Sequence, residues 1–207
     1  MNLILCPEYG GKVFYYKNEE KAPSKFHLKL VFIDNTALTV RLTSMGIIYA
    51  MKESELEESY VYRRDFNQKI VSPIKEKFTF EHFSKLLREN NRMLKSVLVG
   101  KDAVLVGLSN SAFQDIIYRA KLHPKRKASE LDTKQRSALY NAIKEVIRER
   151  IQMKGKDQFY DLYGNQGGYS PTMGPNMKQK LCPLCGTMIE KLSVGGGQIY
   201  FCSQCQT

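Results

Sequence analysis

The chain has 207 residues, 43% of them apolar, and carries 32 Lys and Arg against 21 Asp and Glu for a formal net charge of +11. That apolar share can build the core of one or two globular domains and excludes a disordered or low-complexity polypeptide. No apolar run of about eighteen residues and no charged-then-apolar leader occurs, so neither a membrane span nor a secretory signal is expected, and the expected location is cytoplasmic and nucleoid-associated.

Residues 1–71 read as β-rich. Leu3-Ile4-Leu5, Lys12 to Tyr16, His27 to Ile33, Ala37 to Leu42 and Ile47 to Met51 are short apolar or alternating runs, about five strands. Turn signals at Gly10-Gly11, Ala22-Pro23-Ser24 and Asp34-Asn35 separate them. Glu53 to Glu58 is an acidic stretch suited to a solvated loop or a helical turn, and Ser72-Pro73 closes the section. From Thr79 the period changes, with Phe80, Phe83, Leu86 and Leu87 on one helical face behind Thr79 as N-cap. A short helix is predicted over Ser111 to Ala120, with Ala112, Phe113, Ile116 and Ile117 inward. A connection containing His123-Pro124 and the cluster Lys125-Arg126-Lys127 leads to a longer helix from about Thr133 to Met153, where Asp132 and Gln135 have capping-box spacing. Asp157 to Lys180 is dense in Gly, Tyr, Pro and Asn and reads as a loop.

The charge is unevenly placed. Residues 1–90 hold 14 basic against 12 acidic side chains, whereas residues 91–207 hold 18 against 9. A surface so biased attracts phosphates through counterion release, which makes double-stranded DNA the expected partner. His27, His82 and His123 are isolated in the sequence, and none marks a catalytic pair. No nucleotide cofactor is expected.

The basic half also holds Cys182-Pro183-Leu184-Cys185 and Cys202-Ser203-Gln204-Cys205, two knuckles with sixteen residues between Cys185 and Cys202. Two thiolate pairs at this spacing suit a tetrahedral zinc site, with the intervening residues a β-hairpin that turns at Gly195-Gly196-Gly197. The alternative, two disulfides in a secreted scaffold, fits less well because Cys6 is the only other cysteine.

These features also form a resemblance. Val106-Gly107-Leu108-Ser109-Asn110, Tyr118-Arg119-Ala120-Lys121-Leu122-His123-Pro124, a long helix, Gly167-Gly168-Tyr169 and the knuckles ending in Cys205-Gln206 stand in one order. Over about residues 92–206 the chain resembles the C-terminal domain of the bacterial formamidopyrimidine-DNA glycosylase and endonuclease VIII family, a helix-two-turn-helix followed by a zinc finger. Residues 1–90 resemble, more weakly, the second half of that family's N-terminal β-sandwich.

The resemblance implies an α+β chain with four parts. These are a partial β-sandwich over 1–75, a helical helix-two-turn-helix domain over 76–160, a linker like the family's lesion loop over 161–180, and a zinc finger over 181–207. It implies zinc on Cys182, Cys185, Cys202 and Cys205, and DNA contacts by Asn110, Lys121, Lys125, Arg126, Lys127 and Tyr169. The family repairs oxidised bases by flipping the nucleotide out and attacking its sugar with an N-terminal proline amine, followed by strand nicking.

The chain begins Met1-Asn2-Leu3 where the family begins Pro-Glu, so these residues are expected to start inside the sandwich, without that amine. Gly197 stands where the finger's hairpin usually carries an arginine, and the family's Pro-Arg-Arg-Phe-Gly run is not recognisable in Leu42-Thr43-Ser44-Met45-Gly46. The expected function is DNA binding within base-excision repair, with glycosylase and AP lyase activity left open. The alternatives are a non-catalytic zinc-dependent DNA-binding module and a zinc ribbon for protein contacts.

Overall fold

The structure is a computed structural model, and it describes residues 1–8, 10–43, 45–66, 70–100 and 102–207. Ser44, in the run Leu42 to Gly46, lies outside the described residues. The chain divides into two compact units, one of Met1–Tyr62 with Arg150–Ser170 and one of Arg63–Glu149 with Pro171–Thr207.

Five strands build the first unit: β1 (Asn2–Cys6), β2 (Lys12–Tyr16), β3 (Leu28–Val31), β4 (Ala37–Arg41) and β5 (Ile47–Met51). β1 and β5 pair antiparallel from Asn2↔Met51 to Cys6↔Ile47, and β2, β4 and β3 form a second antiparallel sheet in that order. β4 takes the centre because Ala37 and Val40, both fully buried, need cover on both sides. The turn before it is chemically specified. Asn35 adopts a left-handed φ of 63°, and the Asp34 carboxylate accepts from the amide and hydroxyl of Thr36 at 3.1 and 2.7 Å. Gly11 has no alternative, since a Cβ there would lie 1.8 Å from the Pro7 carbonyl oxygen. Ile4, Cys6 and Val61 are the buried centre of a small core flanked by Ile47, Met51 and Leu56.

Residues 150–170 return to this unit and are anchored to β2. The Tyr15 amide donates to Leu162 O at 2.8 Å, Tyr160 meets Phe14 edge-on at 6.3 Å, and Tyr163 meets Tyr15 at 5.9 Å. Periodicity carries no sign of such pairing, because single backbone bonds and ring contacts have no repeat.

The second unit is helical: α2 (Phe80–Arg88), α3 (Leu94–Leu98), α4 (Asn110–Arg119) and most of α5 (Thr133–Gln152). A further short helix, α1 (Tyr60–Asp65), begins in the first unit and ends in the second. Thr79 caps α2 by accepting from His82 N at 3.3 Å, and the capping box of α5 is complete, with Asp132 accepting from Gln135 N and Gln135 accepting from Asp132 N. α4 starts one residue earlier than its apolar stripe suggests, because Ser109 supplies the cap to Ala112 N. The helices close over Phe83, Leu87, Val97, Leu98, Phe113, Ile116, Ile117 and Ile143, all fully buried. Neither α1 nor α3 follows from periodicity, since six and five residues span too few turns to show one.

Candidate metal centre and nucleic-acid interface

The hairpin of β6 (Glu190–Val194) and β7 (Gly197–Phe201) pairs antiparallel from Glu190↔Phe201 to Val194↔Gly197. Gly195 and Gly196 form its turn at φ 50° and 73°, values that side chains rarely tolerate. Gly197, expected in the turn, is instead the first residue of β7.

The hairpin brings the two knuckles together, and the four sulfurs of Cys182, Cys185, Cys202 and Cys205 lie within 4.8 Å of one another. Cys182 and Cys205 are 3.9 Å apart and Cys185 and Cys202 3.5 Å. A tetrahedral ion with metal–sulfur bonds of about 2.3 Å needs edges of about 3.8 Å, which these two separations approach. Hydrogen bonds from the Thr187 hydroxyl and amide pull the Cys185 thiol down to about 6, while the neighbouring Cys185 sulfur pushes Cys205 up to about 12. Four sulfurs this close cannot all shed protons without a cation between them. Cys6 lies in the other unit and has no place in the cluster.

One face of α4 is bonded to this hairpin. Asn110 Nδ2 donates to Gln198 O at 3.3 Å, Gln114 Oε1 accepts from Tyr200 N at 2.8 Å, and the Tyr118 hydroxyl lies 3.3 Å from Cys182 Sγ. Downstream, Gln206 accepts from Cys202 N and donates to Leu122 O, both at 2.9 Å. Thr207 N donates to Lys121 O and Thr207 O accepts from His123 N. The last two residues therefore lock the second knuckle onto the turn that follows α4.

At the hairpin tip lies a cation that the sequence reading missed. Lys95 is 5% exposed, and its ammonium donates to Val194 O at 2.5 Å and Gly195 O at 3.3 Å, with no carboxylate pairing it among the described residues. Burial pushes its pKa down. A Cβ on Gly197 would lie 2.8 Å from Lys95 Nζ and within 3.8 Å of both polar atoms of the Asn110 amide. Lys95 Nζ, the Asn110 amide and Gly197 thus converge, and Asn110 Oδ1 is buried there with no partner among the described residues. The available signal was a single lysine inside the apolar stretch Leu94 to Leu98.

The other expected contact residues are distributed unequally. Lys121, Lys125 and Lys127 are exposed, whereas Arg126 is half-buried, donates to Gln135 Oε1 at 3.2 Å and keeps its Nε buried. Tyr169, in the other unit, is 2% exposed, and the Arg150 guanidinium lies 4.8 Å above its ring. Lys121 holds a left-handed φ of 56° at the end of α4, where Lys121 N donates to Tyr118 O and Leu122 N to Ile117 O. This is the position at which helices usually place glycine, and a side chain there costs about 1 kcal/mol. Lys121→Gly is accordingly expected to raise unfolding stability by about 1 kcal/mol. Chemical denaturation measures it, and an unchanged midpoint would show that the turn is unstrained.

A family model described as the formamidopyrimidine-DNA glycosylase H2TH domain matches residues 71–160. The formamidopyrimidine-DNA glycosylase of Mycoplasma mobile is 26% identical over 202 residues, covering 95% of this chain and 70% of that protein. That of Pelotomaculum thermopropionicum is 34% identical over 139 residues, 66% of this chain and 50% of that protein. Among solved structures, the Lactococcus lactis Fpg in complex with DNA containing an abasic site superposes with a TM-score of 0.79 at 21% identity, over 99% of this chain and 74% of that one.

Proposed function

We infer that this chain, which belongs to the formamidopyrimidine-DNA glycosylase family, grips damaged duplex DNA in base-excision repair through its helix-two-turn-helix and its zinc-bearing hairpin. The observation that carries this reading is the meeting of Lys95 and Asn110 at the hairpin tip. An ammonium held by two neutral backbone carbonyls is not neutralised by a carboxylate and can be paired by an external anion, and the Asn110 amide beside it offers a donor at the same place. A DNA phosphate is the anion that fits. Lys121, Lys125 and Lys127 add an exposed cationic rim on the same unit, while Tyr169 is buried in the other unit, where its backbone bonds to Gly155 and Asp157. The zinc held by Cys182, Cys185, Cys202 and Cys205 keeps the hairpin tip in place, because a site of four thiolates folds with its metal.

Fluorescence anisotropy with a duplex carrying an abasic-site analogue, read across a salt series, tests the grip. Replacing Lys125, Arg126 and Lys127 together by Ala is expected to weaken binding to every duplex sequence. Each phosphate contact contributes about 0.9 to the slope of log affinity against log salt, and Arg126 is already engaged with Gln135, so the slope should fall by about 2. Unchanged affinity and slope would place the interface elsewhere. Borohydride trapping on an abasic duplex tests the chemical half of the family's activity. A covalent adduct would assign an amine nucleophile to these 207 residues, and its absence would leave them as a binding module.

A further inference from the structure

The hydrogen bonds between α4 and the finger fall in a single row. Asn110, Gln114 and Tyr118 stand four residues apart and meet Gln198, Tyr200 and Cys182 in turn. Four helical residues advance about 6 Å and two strand residues about 6.6 Å, so a helix read every fourth residue stays in step with a strand read every second one. Gln198 and Tyr200 are two such strand residues, and the next, Cys202, is a cysteine of the cluster. The third rung is completed by Cys182, whose sulfur belongs to the same cluster.

Tyr118 is 3% exposed and packs with Met173, Cys182, Ile189, Tyr200 and Cys202. Packing alone would be served by phenylalanine. A buried hydroxyl needs a partner, and among the described residues the one within reach is the Cys182 sulfur. When Cys182 is a metal-bound thiolate it has no proton to give, so the hydroxyl is the donor. Its O–H then draws charge from the sulfur and holds the first knuckle against α4.

We propose that Tyr118 is a positioning residue of the metal centre, an outer-sphere donor to the Cys182 thiolate that carries the metal's hold along α4 to Asn110. The proposal rests on the reading of the four cysteines as a zinc site. Loss of the ion frees Cys182 from its place in the cluster, releases the third rung and loosens the helix whose first residue, Asn110, faces the hairpin tip.

The test is Tyr118→Phe in the full chain. Zinc content of the freshly purified wild-type protein comes first, since a value far below one per chain would overturn the zinc reading itself. With that reading intact, the variant is expected to hold zinc about 10-fold more weakly in competition with a chromogenic chelator, within the range for loss of an outer-sphere partner. In cobalt-substituted protein its thiolate-to-metal charge-transfer band should move to longer wavelength, because a sulfur without its hydrogen bond gives up electrons more easily. That band reports only folded, metal-loaded molecules, so partial misfolding cannot imitate the shift. Zinc should slow amide exchange along α4 in the wild type and do so less in the variant. Zinc affinity within twofold of wild type together with an unmoved cobalt band would overturn the proposal, and equal slowing of α4 exchange by zinc in both proteins would overturn the link to Asn110.

Discussion

Cys202→Ser is expected to abolish stoichiometric zinc binding and to weaken duplex binding by on the order of 100-fold, or about 2.7 kcal/mol. Cys202 is fully buried, its amide is held by Gln206, and β7 runs directly into it. A hydroxyl is a poor substitute for a thiolate on zinc, and three sulfurs cannot close the tetrahedron. The ion's binding energy is folding energy for this segment, so its loss frees the hairpin and with it the carbonyls of Val194 and Gly195 that hold Lys95 at the tip. Elemental analysis and anisotropy of the same preparation decide the matter. A variant that keeps one zinc per chain and native affinity would exclude the four-cysteine site. Cys6→Ser serves as the control, since Cys6 lies in the other unit and should leave both readings unchanged.

Arg119→Ala is expected to cost about 3 kcal/mol of stability and to lower the melting temperature by roughly 6–12 °C. Arg119 joins α4 to α5 through a two-pronged pair with Glu149 at 2.9 and 2.7 Å. It also lies 3.5 Å from Glu145 and 3.9 Å from Asp115, a fully buried carboxylate that accepts from Thr172 N. Removing the guanidinium leaves three acids near one another with one cation fewer. The effect carries a pH signature. The hydrogen bond from Arg119 holds the Glu149 carboxyl below its usual 4.5. A lowered carboxylate contributes stability that is present above pH 4.5 and lost as pH falls through its folded value, so wild type and variant should converge in acid. A gap between their melting temperatures that does not narrow below about pH 4 would show that packing, not charge, accounts for the loss.

What was legible in the sequence is what repeats or is spaced within a few residues. Short apolar or alternating runs marked all five strands of the first unit, with bounds within two residues for β3 and closer elsewhere. The cap at Thr79 and the capping box of Asp132 and Gln135 are local exchanges between neighbours, and they form as their spacing implies. The two knuckles marked the four-cysteine cluster for the same reason, since each pair is set by its own short turn and only one hairpin is needed to bring them together. Charge by halves located the basic unit.

Tertiary structure decided the rest, because the remaining contacts join residues that no local rule relates. Lys95 meets Val194 across 99 positions and Gln114 meets Tyr200 across 86. Whether a lysine becomes a buried cation or a solvated one depends on which backbone is folded over it, and that is settled only when the hairpin docks on α3 and α4. Arg126, read alongside Lys125 and Lys127 as an equal cation, is drawn partly inward by Gln135. Tyr169 lies buried beneath Arg150. The sequence by itself determined the strands, the longer helices and the four-cysteine cluster, since these are short-range chemistry. Which polar side chains stay exposed, and which are used to hold the fold, was determined only by long-range packing, where burial assigns each group its partner.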